Sequence, residues 1–568
     1  MPYKLHVVDR NYDEWSISNT ETMTEVDGID TCSIFNPIES KLFSNDIFEN
    51  KENEISLLHS SIRCTSQMPG VLILENNKTY GRYKAKLLYR CVPDDKRLPI
   101  FLVPYAIKKT GFSKKLTNKY VTFKFKNWSN KHPMGTVESV LGDVDNLNNF
   151  YEYQLFCKSL YASIQNFTKA AATSLKKKSN EEFVTNIMKR FPSIEDRRHN
   201  KILSIDPVGS VDFDDAFEIF ELGENHHRLS IYIANVPIWM DILNLWESFT
   251  QRIATIYLPD RKRPMLPTIL SDCLCSLQEN EIRFAFTIDL EIKDGLIISK
   301  NYANTAICVY KNYRYEDSTL INDENYMMVL DVIRTMTKNY SYMGNVKNSH
   351  DLIMYLMILM NYNSACEMIK YGNGIYRSVI YNKETIIPDS LSDDVIRFIK
   401  IWNSASGQYV LHIDKQQHDF LELESYIHIT SPIRRLVDLL NMIQLQTNLG
   451  IIKYSEKAHQ FYKDWINKID YINTTMRAIR KIQYDCSLLE MCVNEPDIMT
   501  VSYTGYVFDK IMRNDKLFQY LVYLPKIKML SRITLKEDFD NYSEKNFRLY
   551  LFHDESSLKR KIRLHLIR

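Results

Sequence analysis

The 568-residue chain lacks the sequence marks of several protein classes. It has ten cysteines but no Cys-x-x-Cys, and the closest pair is Cys273 and Cys275 in an apolar run. A zinc site is therefore not expected, and such scattered cysteines are typical of reduced, buried thiols. The N-terminus has no apolar signal-peptide core, and the apolar run near Met354–Met360 is too short to span a bilayer. These absences predict a soluble, cytoplasmic protein with no membrane partner.

Charge of either sign is not in excess, because 72 lysines and arginines stand against 70 aspartates and glutamates, with a formal net charge of +2. A nucleic-acid partner would therefore be met by local basic patches and not by a global field. The hydrophobic content of 45% is ordinary for a globular protein. The length favours roughly three to four domains.

The alternation of apolar and polar residues predicts a multidomain protein of mixed α/β and all-β type. Short alternating runs between turn signals indicate small OB-type β-barrels near both ends of the chain. A long middle stretch that mixes strands with helices indicates one large mixed α/β unit. The predicted order is a polar N-terminal arm (1–20), an OB-like, cold-shock-type barrel (21–90), a second OB-like barrel (91–145), a helical connector (146–200), the mixed α/β unit (201–490) and a C-terminal OB-fold expected to bind RNA (497–568).

One stretch of the second predicted barrel, from Phe112 to Trp128, is basic with interleaved aromatics. Lys124 and Lys126 alternate with Phe123 and Phe125, so the two residue types would lie on opposite faces of a strand. Such a strand would suit a groove for single-stranded nucleic acid. The alternative is a strand with its aromatics in the core and its lysines in water, and the sequence does not separate the two.

Four aspartates with the spacing Asp-x5-Asp-x-Asp-Asp follow an apolar, strand-like run. They are Asp206, Asp212, Asp214 and Asp215. Carboxylates repel one another, so a cluster is costly without a cation to offset it. Hard oxygen ligands in a rigid setting suit Mg²⁺, often as two ions that clamp a phosphate, which points to phosphodiester chemistry. The alternative is a solvated acidic turn, because Pro207 and Gly209 between these aspartates are turn formers.

A second polar stretch lies near residue 430. Thr430–Pro432 can cap and start a helix, and helix N-termini bind anions. Arg434 and Arg435 would then lie in the first turn, where cations oppose the helix dipole, so an anionic partner would explain them. The alternative is a pair of surface arginines that form ion pairs with acids such as Asp438.

A third stretch contains three prolines within nine residues, Pro259, Pro264 and Pro267. Proline is excluded from a helix interior, so these residues impose an extended path before a short helix.

Three segments of the chain are similar to one known family. Ile205–Ala216 has the form Ile-Asp-Pro-x4-Asp-x-Asp-Asp-Ala, and Pro264–Leu277 and Thr430–Asp438 follow in the same order. In these motifs the chain resembles the RNB-domain exoribonucleases, which include ribonuclease II, ribonuclease R and the catalytic subunit of the eukaryotic exosome. The resemblance implies that residues 201–490 form an RNB catalytic domain flanked by OB-like β-barrels. It also implies hydrolytic 3′→5′ degradation of single-stranded RNA to nucleoside 5′-monophosphates.

The same resemblance assigns roles to individual residues. It implies that Asp206, Asp212, Asp214 and Asp215 bind Mg²⁺, as a two-ion site in which Mn²⁺ could substitute. Asp214 and Arg434 would be catalytic, because an arginine can neutralise the charge that develops on the phosphate. Tyr257 resembles the aromatic that packs on the 3′-terminal base, Tyr315 resembles a second one, and Arg435 would also contact RNA. Core packing is the alternative for both tyrosines.

The chain departs from the family pattern at Ile253 and at four further positions, Asn235, Pro237, Met442 and Ile443. None of these changes removes an expected metal ligand. Two other functions stay open, a catalytically silent RNA-binding protein with the same fold and an enzyme that acts on DNA. We expect a processive enzyme that is monomeric and active as a single chain.

Overall fold

The computed structural model of the protein describes residues 2–26, 36–51, 54–107, 116–340, 346–381, 386–403, 405–412, 416–554 and 559–567. The chain divides into two units, each built from separate stretches. The first unit contains Met1–Tyr161, Leu258–Asp260 and Lys481–Arg568. The second contains Ala162–Tyr257 and Arg261–Arg480.

The first unit begins with a four-stranded sheet in the order β2-β1-β3-β4, followed by a one-turn helix. Its elements are β1 (Pro2–Val7), β2 (Trp15–Asn19), β3 (Ile47–Lys51), β4 (Glu54–His59) and α1 (Ser61–Cys64). The predicted polar arm at 1–20 is therefore wrong. Leu5, Val7 and Ile17 are buried, and these few apolar residues are enough to attach two otherwise polar strands to the core.

A six-stranded sheet follows, in the order β5-β9-β10-β8-β7-β6 with an additional β5–β7 pairing. Its strands are β5 (Met68–Leu72), β6 (Arg82–Tyr83), β7 (Lys86–Pro93), β8 (Phe101–Tyr105), β9 (Lys119–Asn127) and β10 (Met134–Asp143). The boundary predicted at 90/91 falls inside β7, so it is wrong. Strand β5 pairs with β9, about fifty residues further along the chain, and local alternation does not report such non-local pairing.

The basic and aromatic stretch of this sheet adopts the simpler of its two predicted arrangements. Phe123 is buried in the core that the two sheets share, and Phe125 packs against that core. Lys124 and Lys126 are exposed. Phe112 at the start of the stretch lies outside the described residues. Strand β9 therefore places its aromatics inward and its lysines in water.

Three helices come next, α2 (Leu147–Cys157), α3 (Gln165–Leu175) and α4 (Asn180–Arg190). Helix α4 begins with a capping box in which Ser179 and Glu182 bond to each other's backbone N–H groups. The predicted helical connector ends earlier than residue 200, because a barrel strand begins at Glu195. Residues 195–201 are all polar or charged, so the sequence shows no alternation of apolar and polar residues that would predict this part of the strand.

The second unit is built around a closed five-stranded barrel in the order β11-β12-β13-β16-β17. The elements in this part of the chain are β11 (Glu195–Asp206), β12 (Asp215–Gly223), β13 (His226–Ala234), α5 (Val236–Ile242), β14 (Ile256–Tyr257), β15 (Lys262–Arg263), β16 (Ile282–Lys293) and β17 (Leu296–Arg314). Neighbouring barrel strands are antiparallel, except that β17 closes the barrel in parallel with β11. Strands β14 and β15 form a separate hairpin.

Alternate residues of the barrel strands form one apolar cluster with the two helices that follow, α6 (Glu324–Met336) and α7 (Ser349–Lys370). Ile231 of β13 lies between Phe217 and Ile288 on the neighbouring strands, which shows the period of two. Helix α7 is long and apolar enough to cross a membrane, but 67% of its most apolar window is buried inside the protein. It packs as a core helix.

The rest of the second unit contains a small sheet and further helices. The elements are β18 (Ile375–Ile380), α8 (Asp393–Asn403), β19 (Ala405–Leu411), α9 (Leu436–Asn448), α10 (Glu456–Ile466) and α11 (Ile469–Asn494), the last of which continues into the first unit. Helix α9 was predicted to begin at Pro432, and this prediction is wrong. The backbone turns after Ser431, and Arg435 is extended because it forms a β-bridge with Ala254.

The C-terminal part of the first unit is a five-stranded sheet in the order β22-β21-β20-β23-β24. Its strands are β20 (Tyr503–Met512), β21 (Phe518–Leu524), β22 (Met529–Leu535), β23 (Glu544–Asp554) and β24 (Lys559–Leu566). Val507, Val522 and Phe547 are buried in its own apolar cluster. This sheet therefore has an independent core, as an OB-like domain requires.

Candidate active site

The four aspartates lie at one end of the barrel. Asp206 ends β11 and Asp215 begins β12, so residues 207–214 form the loop between two neighbouring strands. Ser276 fixes this loop, because its hydroxyl donates to the Val211 carbonyl at 2.8 Å and accepts from the Phe213 N–H at 3.0 Å. The sequence segment Pro264–Leu277 thus holds the acidic loop in place.

The loop borders a cavity of about 860 Å³ in the second unit. The cavity is lined by every residue to which the sequence assigned a role, namely Asp206, Asp212, Asp214, Asp215, Tyr257, Tyr315, Arg434 and Arg435. Segments that are more than 200 residues apart in sequence therefore meet around one space. These residues differ in their hydrogen-bond partners and in their exposure.

Asp206 and Asp215 form a half-buried acidic pair. Burial raises the pKa of Asp206, and the neighbouring Asp215 raises it further. Burial also raises the pKa of Asp215, although Arg434 acts in the opposite direction. The Oδ2 atom of Asp206 is buried and accepts no hydrogen bond within the described part of the chain. Such a pair is costly unless a proton or a cation offsets it.

Asp214 is held by the segment around residue 433. Its Oδ2 accepts from Arg434 Nε and its Oδ1 from the Ile433 N–H, both at 3.0 Å. Arg434 also donates from an Nη atom to the Ser431 hydroxyl at 3.0 Å. Burial raises the pKa of Asp214 to about 7, although Arg434 and the Ile433 N–H lower it. The side chain of Arg434 is 43% exposed, so part of its guanidinium faces the cavity.

Asp212 is held by the β14–β15 hairpin. Lys262 Nζ lies 2.9 Å from Asp212 Oδ1 and 3.1 Å from Asp272 Oδ1. The Tyr257 hydroxyl is also hydrogen-bonded to Asp212, and burial together with the Asp212 charge raises the pKa of Tyr257. The four aspartates therefore form three local groups and not one uniform cluster.

Arg435 adopts the alternative arrangement considered for the two arginines. It donates from Nη2 to Asp438 Oδ1 at 2.8 Å, and the Ser431 N–H donates to the same oxygen at 2.8 Å. The side chain of Asp438 is fully buried, and that of Arg435 is 22% exposed. Arg434 and Arg435 are neighbours in sequence, yet the first pairs with an acid of the loop and the second fixes its own turn.

The two predicted RNA-contacting tyrosines are both at the cavity. Tyr257 is 42% exposed. Tyr315 stacks on His350, with ring centroids 3.7 Å apart and planes inclined by 10°. The backbone N–H of Tyr315 donates to the Asp206 carbonyl at 3.0 Å, which ties this ring to the acidic pair. One face of Tyr315 is thus already covered.

The metal prediction has only partial geometric support. In the ranges that the structure describes, no group of three or more His, Cys, Asp or Glu side chains is arranged to hold a metal ion. Asp206 and Asp215 fit a hard cation, because both are oxygen donors with raised pKa values and Asp206 Oδ2 has no hydrogen-bond partner among the described residues. Asp214 and Asp212 do not present free oxygens in the same way, because Arg434 and Lys262 engage them.

Sequence reasoning missed several residues of the site, namely Lys262, Ser276, His350 and His428. Lys262 could have been found, because an antiparallel hairpin after Tyr257 places it directly across the strand from that tyrosine. His428 lines the cavity, and its Nδ1 lies 2.9 Å from the Tyr409 hydroxyl. No local pattern in the sequence distinguishes His350 or His428 from an ordinary core histidine.

Asn235, Pro237, Met442 and Ile443, which depart from the family pattern, are accommodated by local packing. Asn235 is fully buried and donates to Asn304 Oδ1 at 2.8 Å. Pro237 lies in the first turn of α5, where proline is tolerated. Met442 and Ile443 are buried in α9. None of the four lines the cavity described above.

Two family models match the chain, the RNB domain at residues 194–326 and the Dis3-like cold-shock domain 2 (CSD2) at residues 88–152. Ribonuclease R of Ureaplasma parvum serovar 3 is 39% identical over 133 residues, which are 23% of this chain and 18% of that protein. The chain aligns with less than a third of the length of each of the first curated relatives.

Solved structures show the same fold over the whole chain. Mycoplasma genitalium RNase R in complex with ribose methylated single-stranded RNA has a TM-score of 0.68 at 15% identity, with all of both chains covered. Yeast Ssd1, a pseudonuclease, has a TM-score of 0.59 at 14% identity, covering 97% of this chain and 81% of that one. In its RNB domain, its Dis3-like cold-shock domain and its fold, the chain resembles the RNB-domain exoribonucleases.

Proposed function

We propose that the protein is a hydrolytic 3′→5′ exoribonuclease that degrades single-stranded RNA to nucleoside 5′-monophosphates. The observation that carries this proposal is the pair formed by Asp214 and Arg434 beside the half-buried acids Asp206 and Asp215. A guanidinium and several carboxylates around one cavity are the groups that phosphodiester hydrolysis uses. Both family models and the relative named ribonuclease R agree with this chemistry.

In the proposed reaction a water oxygen attacks the phosphorus atom before the 3′-terminal nucleoside. The bond from phosphorus to the 3′ oxygen of the preceding residue breaks, and that oxygen takes up a proton. Arg434 would offset the charge that develops on the phosphate oxygens. Asp214 would orient Arg434 towards the phosphate through the hydrogen bond that it accepts from Arg434 Nε at 3.0 Å. Tyr257 would pack on the terminal base and thus position the last bond.

The chemistry of the carboxylates supports Mg²⁺ as the cofactor. Asp206 and Asp215 would hold one ion, and Asp212 and Asp214 would complete a two-ion site, in which Mn²⁺ would substitute. When bound, the ions would activate the attacking water and offset charge on the phosphate. Removal of the metal with EDTA should therefore stop hydrolysis.

We further propose that single-stranded RNA is the partner of this site and that the chain acts as a monomer in the cytoplasm. The cavity suits a single strand, because Tyr257 offers an exposed ring beside the phosphate-binding groups. Solved structures of M. genitalium RNase R hold either single-stranded or double-stranded RNA. Sedimentation of the purified chain would test the monomeric state.

A second candidate function is RNA binding without catalysis. The likeness to yeast Ssd1, a pseudonuclease, is the observation that favours it, because this fold can persist without activity. The four aspartates and Arg434, which surround one cavity here, argue for the enzyme.

One experiment separates these candidates. A 5′-labelled single-stranded RNA should be shortened from its 3′ end in Mg²⁺ and should stay intact in EDTA. A DNA of the same sequence should resist, and a circular RNA should not be cut. RNA binding without any cleavage in Mg²⁺ or Mn²⁺ would establish the silent alternative, and cleavage of the circle would rule out an exonuclease.

A further inference from the structure

Lys262 is a charged residue of the cavity to which neither the motifs nor the proposed reaction assigns a role. It lies in β15, directly across the hairpin from Tyr257. Its ammonium group contacts two carboxylates, Asp212 at 2.9 Å and Asp272 at 3.1 Å. The three side chains are between 12% and 26% exposed, so solvent only partly screens their interactions.

The surroundings of Lys262 keep it charged and fix its position. Burial acts to lower the pKa of Lys262, but its hydrogen bonds to Asp212 and Asp272 raise it overall. Asp272 also accepts a hydrogen bond from the Ser271 hydroxyl at 2.6 Å. It belongs to a π-helical turn, Ile269–Leu274, and π-helical turns occur often at functional sites. Lys262 is therefore a fixed cation with two anionic partners of different kinds.

The two partners differ in what they line. Asp212 lines the cavity together with Asp206, Asp214 and Asp215, whereas Asp272 is not among the residues of its wall. A cation that enters the cavity would therefore compete with Lys262 for Asp212, and it would leave the contact with Asp272 in place. The short distance to both carboxylates allows the lysine to change its main partner by a small rotation of its side chain.

We infer that Lys262 is a positioning residue. Without metal it pairs with both Asp212 and Asp272, and when a divalent cation binds the acidic loop it releases Asp212 and pairs with Asp272 alone. This inference rests on the proposed function, because it takes the acidic loop as the site of the metal. The exchange of one cation for another keeps Asp212 paired at every stage, which avoids an uncompensated charge in a partly buried site. Because Tyr257 also bonds to Asp212, the same hairpin links the ring proposed to contact the base to the acid that receives the metal.

This exchange predicts opposite effects for changes at Lys262 and at Asp272. Lys262→Met removes the competing cation, so the half-saturating Mg²⁺ concentration, fitted from the logarithmic rise of Tm with Mg²⁺ concentration, should fall about fivefold, the size expected for a partly exposed ion pair. Asp272→Asn removes the second carboxylate, so Lys262 should hold Asp212 more tightly and the half-saturating Mg²⁺ concentration should rise. Lys262→Arg keeps the charge and should resemble the wild type.

The measurement is the thermal unfolding of the full chain at a series of Mg²⁺ concentrations without RNA, with Lys178→Met as a control on an exposed lysine outside the cavity. A purely structural lysine would shift Tm in all conditions without moving the half-saturation point. Unchanged half-saturation in both Lys262→Met and Asp272→Asn would overturn the inference, as would a shift of both in the same direction. If Lys262→Met does not fold, Asp272→Asn alone decides by the sign of its effect.

These outcomes are distinguishable from failure of the proposed function. A wild-type chain that shows a Mg²⁺-dependent rise in Tm but no RNA cleavage would refute the enzyme and leave the exchange testable. A wild-type chain whose Tm does not respond to Mg²⁺ would overturn the exchange whatever its activity.

Discussion

Two regions of the molecule use charge in contrasting ways. The cavity of the second unit is lined by four aspartates, of which Asp214 is buried and the other three are half-buried, and two of the four are paired with Arg434 and Lys262. The β6–β7 surface of the first unit, defined as Asn76–Val92 together with Lys126, is largely exposed. Its stretch Asn76–Val92 contains five basic residues and no acidic one.

Four of the six basic groups of the β6–β7 surface lie over tyrosine rings. Lys126 Nζ is 3.9 Å from the centre of the Tyr83 ring, and Arg90 lies 5.9 Å from the centre of the Tyr80 ring. Exposed groups of this kind add little to stability but can bind phosphates and stack on bases. Buried charges are costly and shift pKa values, which is how catalytic groups are prepared. From this contrast we expect chemistry at the cavity and RNA binding at the surface.

The largest effect is expected for Asp214→Asn, which tests the division of catalysis and binding between the cavity and the surface. The change keeps the size of the side chain but removes the charge that pairs with Arg434, so RNA hydrolysis should fall at least about a thousandfold. RNA affinity, measured by filter binding, should stay within about twofold, because phosphate contacts elsewhere dominate binding. Appreciable turnover by this variant would contradict the mechanism, and a parallel loss of affinity would contradict the division of roles.

Tyr257→Ala tests whether the cavity itself contributes to binding. Loss of a stacked base should weaken the binding of a short oligonucleotide by about tenfold to a hundredfold. Tyr257→Phe is the matched control, because it keeps the ring and removes only the hydroxyl that bonds to Asp212. Tyr315→Ala should have a smaller effect, because His350 already covers one face of that ring. Equal losses for Ala and Phe would show that the hydroxyl and not the ring is what matters.

The complementary change removes charge from the β6–β7 surface. With Lys78, Lys84 and Lys126 all replaced by glutamine, affinity for a long single-stranded RNA should fall about tenfold. The slope of log affinity against log salt should lose about 2 units, since each lost phosphate contact contributes about 0.7 for a single strand. The turnover rate at saturating RNA should not change. The control replaces the exposed residues Lys176, Lys177 and Lys178 by glutamine. An equal loss of RNA affinity in that control would show that the β6–β7 surface has no special role.

The residues that are predictable from the sequence are those whose chemistry is local. The spacing of the four aspartates and the arginine that follows Pro432 and Ile433 are enough to assign Asp206 and Arg434 to one site. The strands β13 and β16 are also predictable, because their apolar residues alternate with a period of two.

Local patterns fail where long-range pairing decides. The helix expected at Pro432 begins at Leu436, because Arg435 bridges to Ala254, a residue about 180 positions earlier. Beside this bridge, Arg434 donates to Asp214 and Arg435 donates to Asp438. No local property distinguishes these adjacent arginines, so only tertiary structure could separate a residue of the site from one that fixes its own turn.

The smallest expected effect concerns pH and stability in the absence of metal. Burial raises the pKa of Asp214 to about 7 in the folded state, above its unfolded value of about 4. The folded state therefore prefers the protonated acid, and the stability that this contributes is present below about pH 4 and is lost as the pH rises towards 7. In Asp214→Asn the titrating group is absent. The difference in Tm between wild type and variant, measured in EDTA, should thus move against the wild type as the pH rises from about 4 to 7.

The glutamine variant of the β6–β7 surface provides the control for this measurement, because its lysines are exposed and should leave the pH profile of Tm unchanged. Burial also lowers the pKa of His418 to about 4, which makes the folded state lose stability as the pH falls below about 6.5. This opposing contribution is common to all three proteins and cancels in the differences. A difference between wild type and Asp214→Asn that stays constant over this range would show that Asp214 is already ionised in the folded protein. The cavity would then differ from the exposed surface only in the sign of its charge.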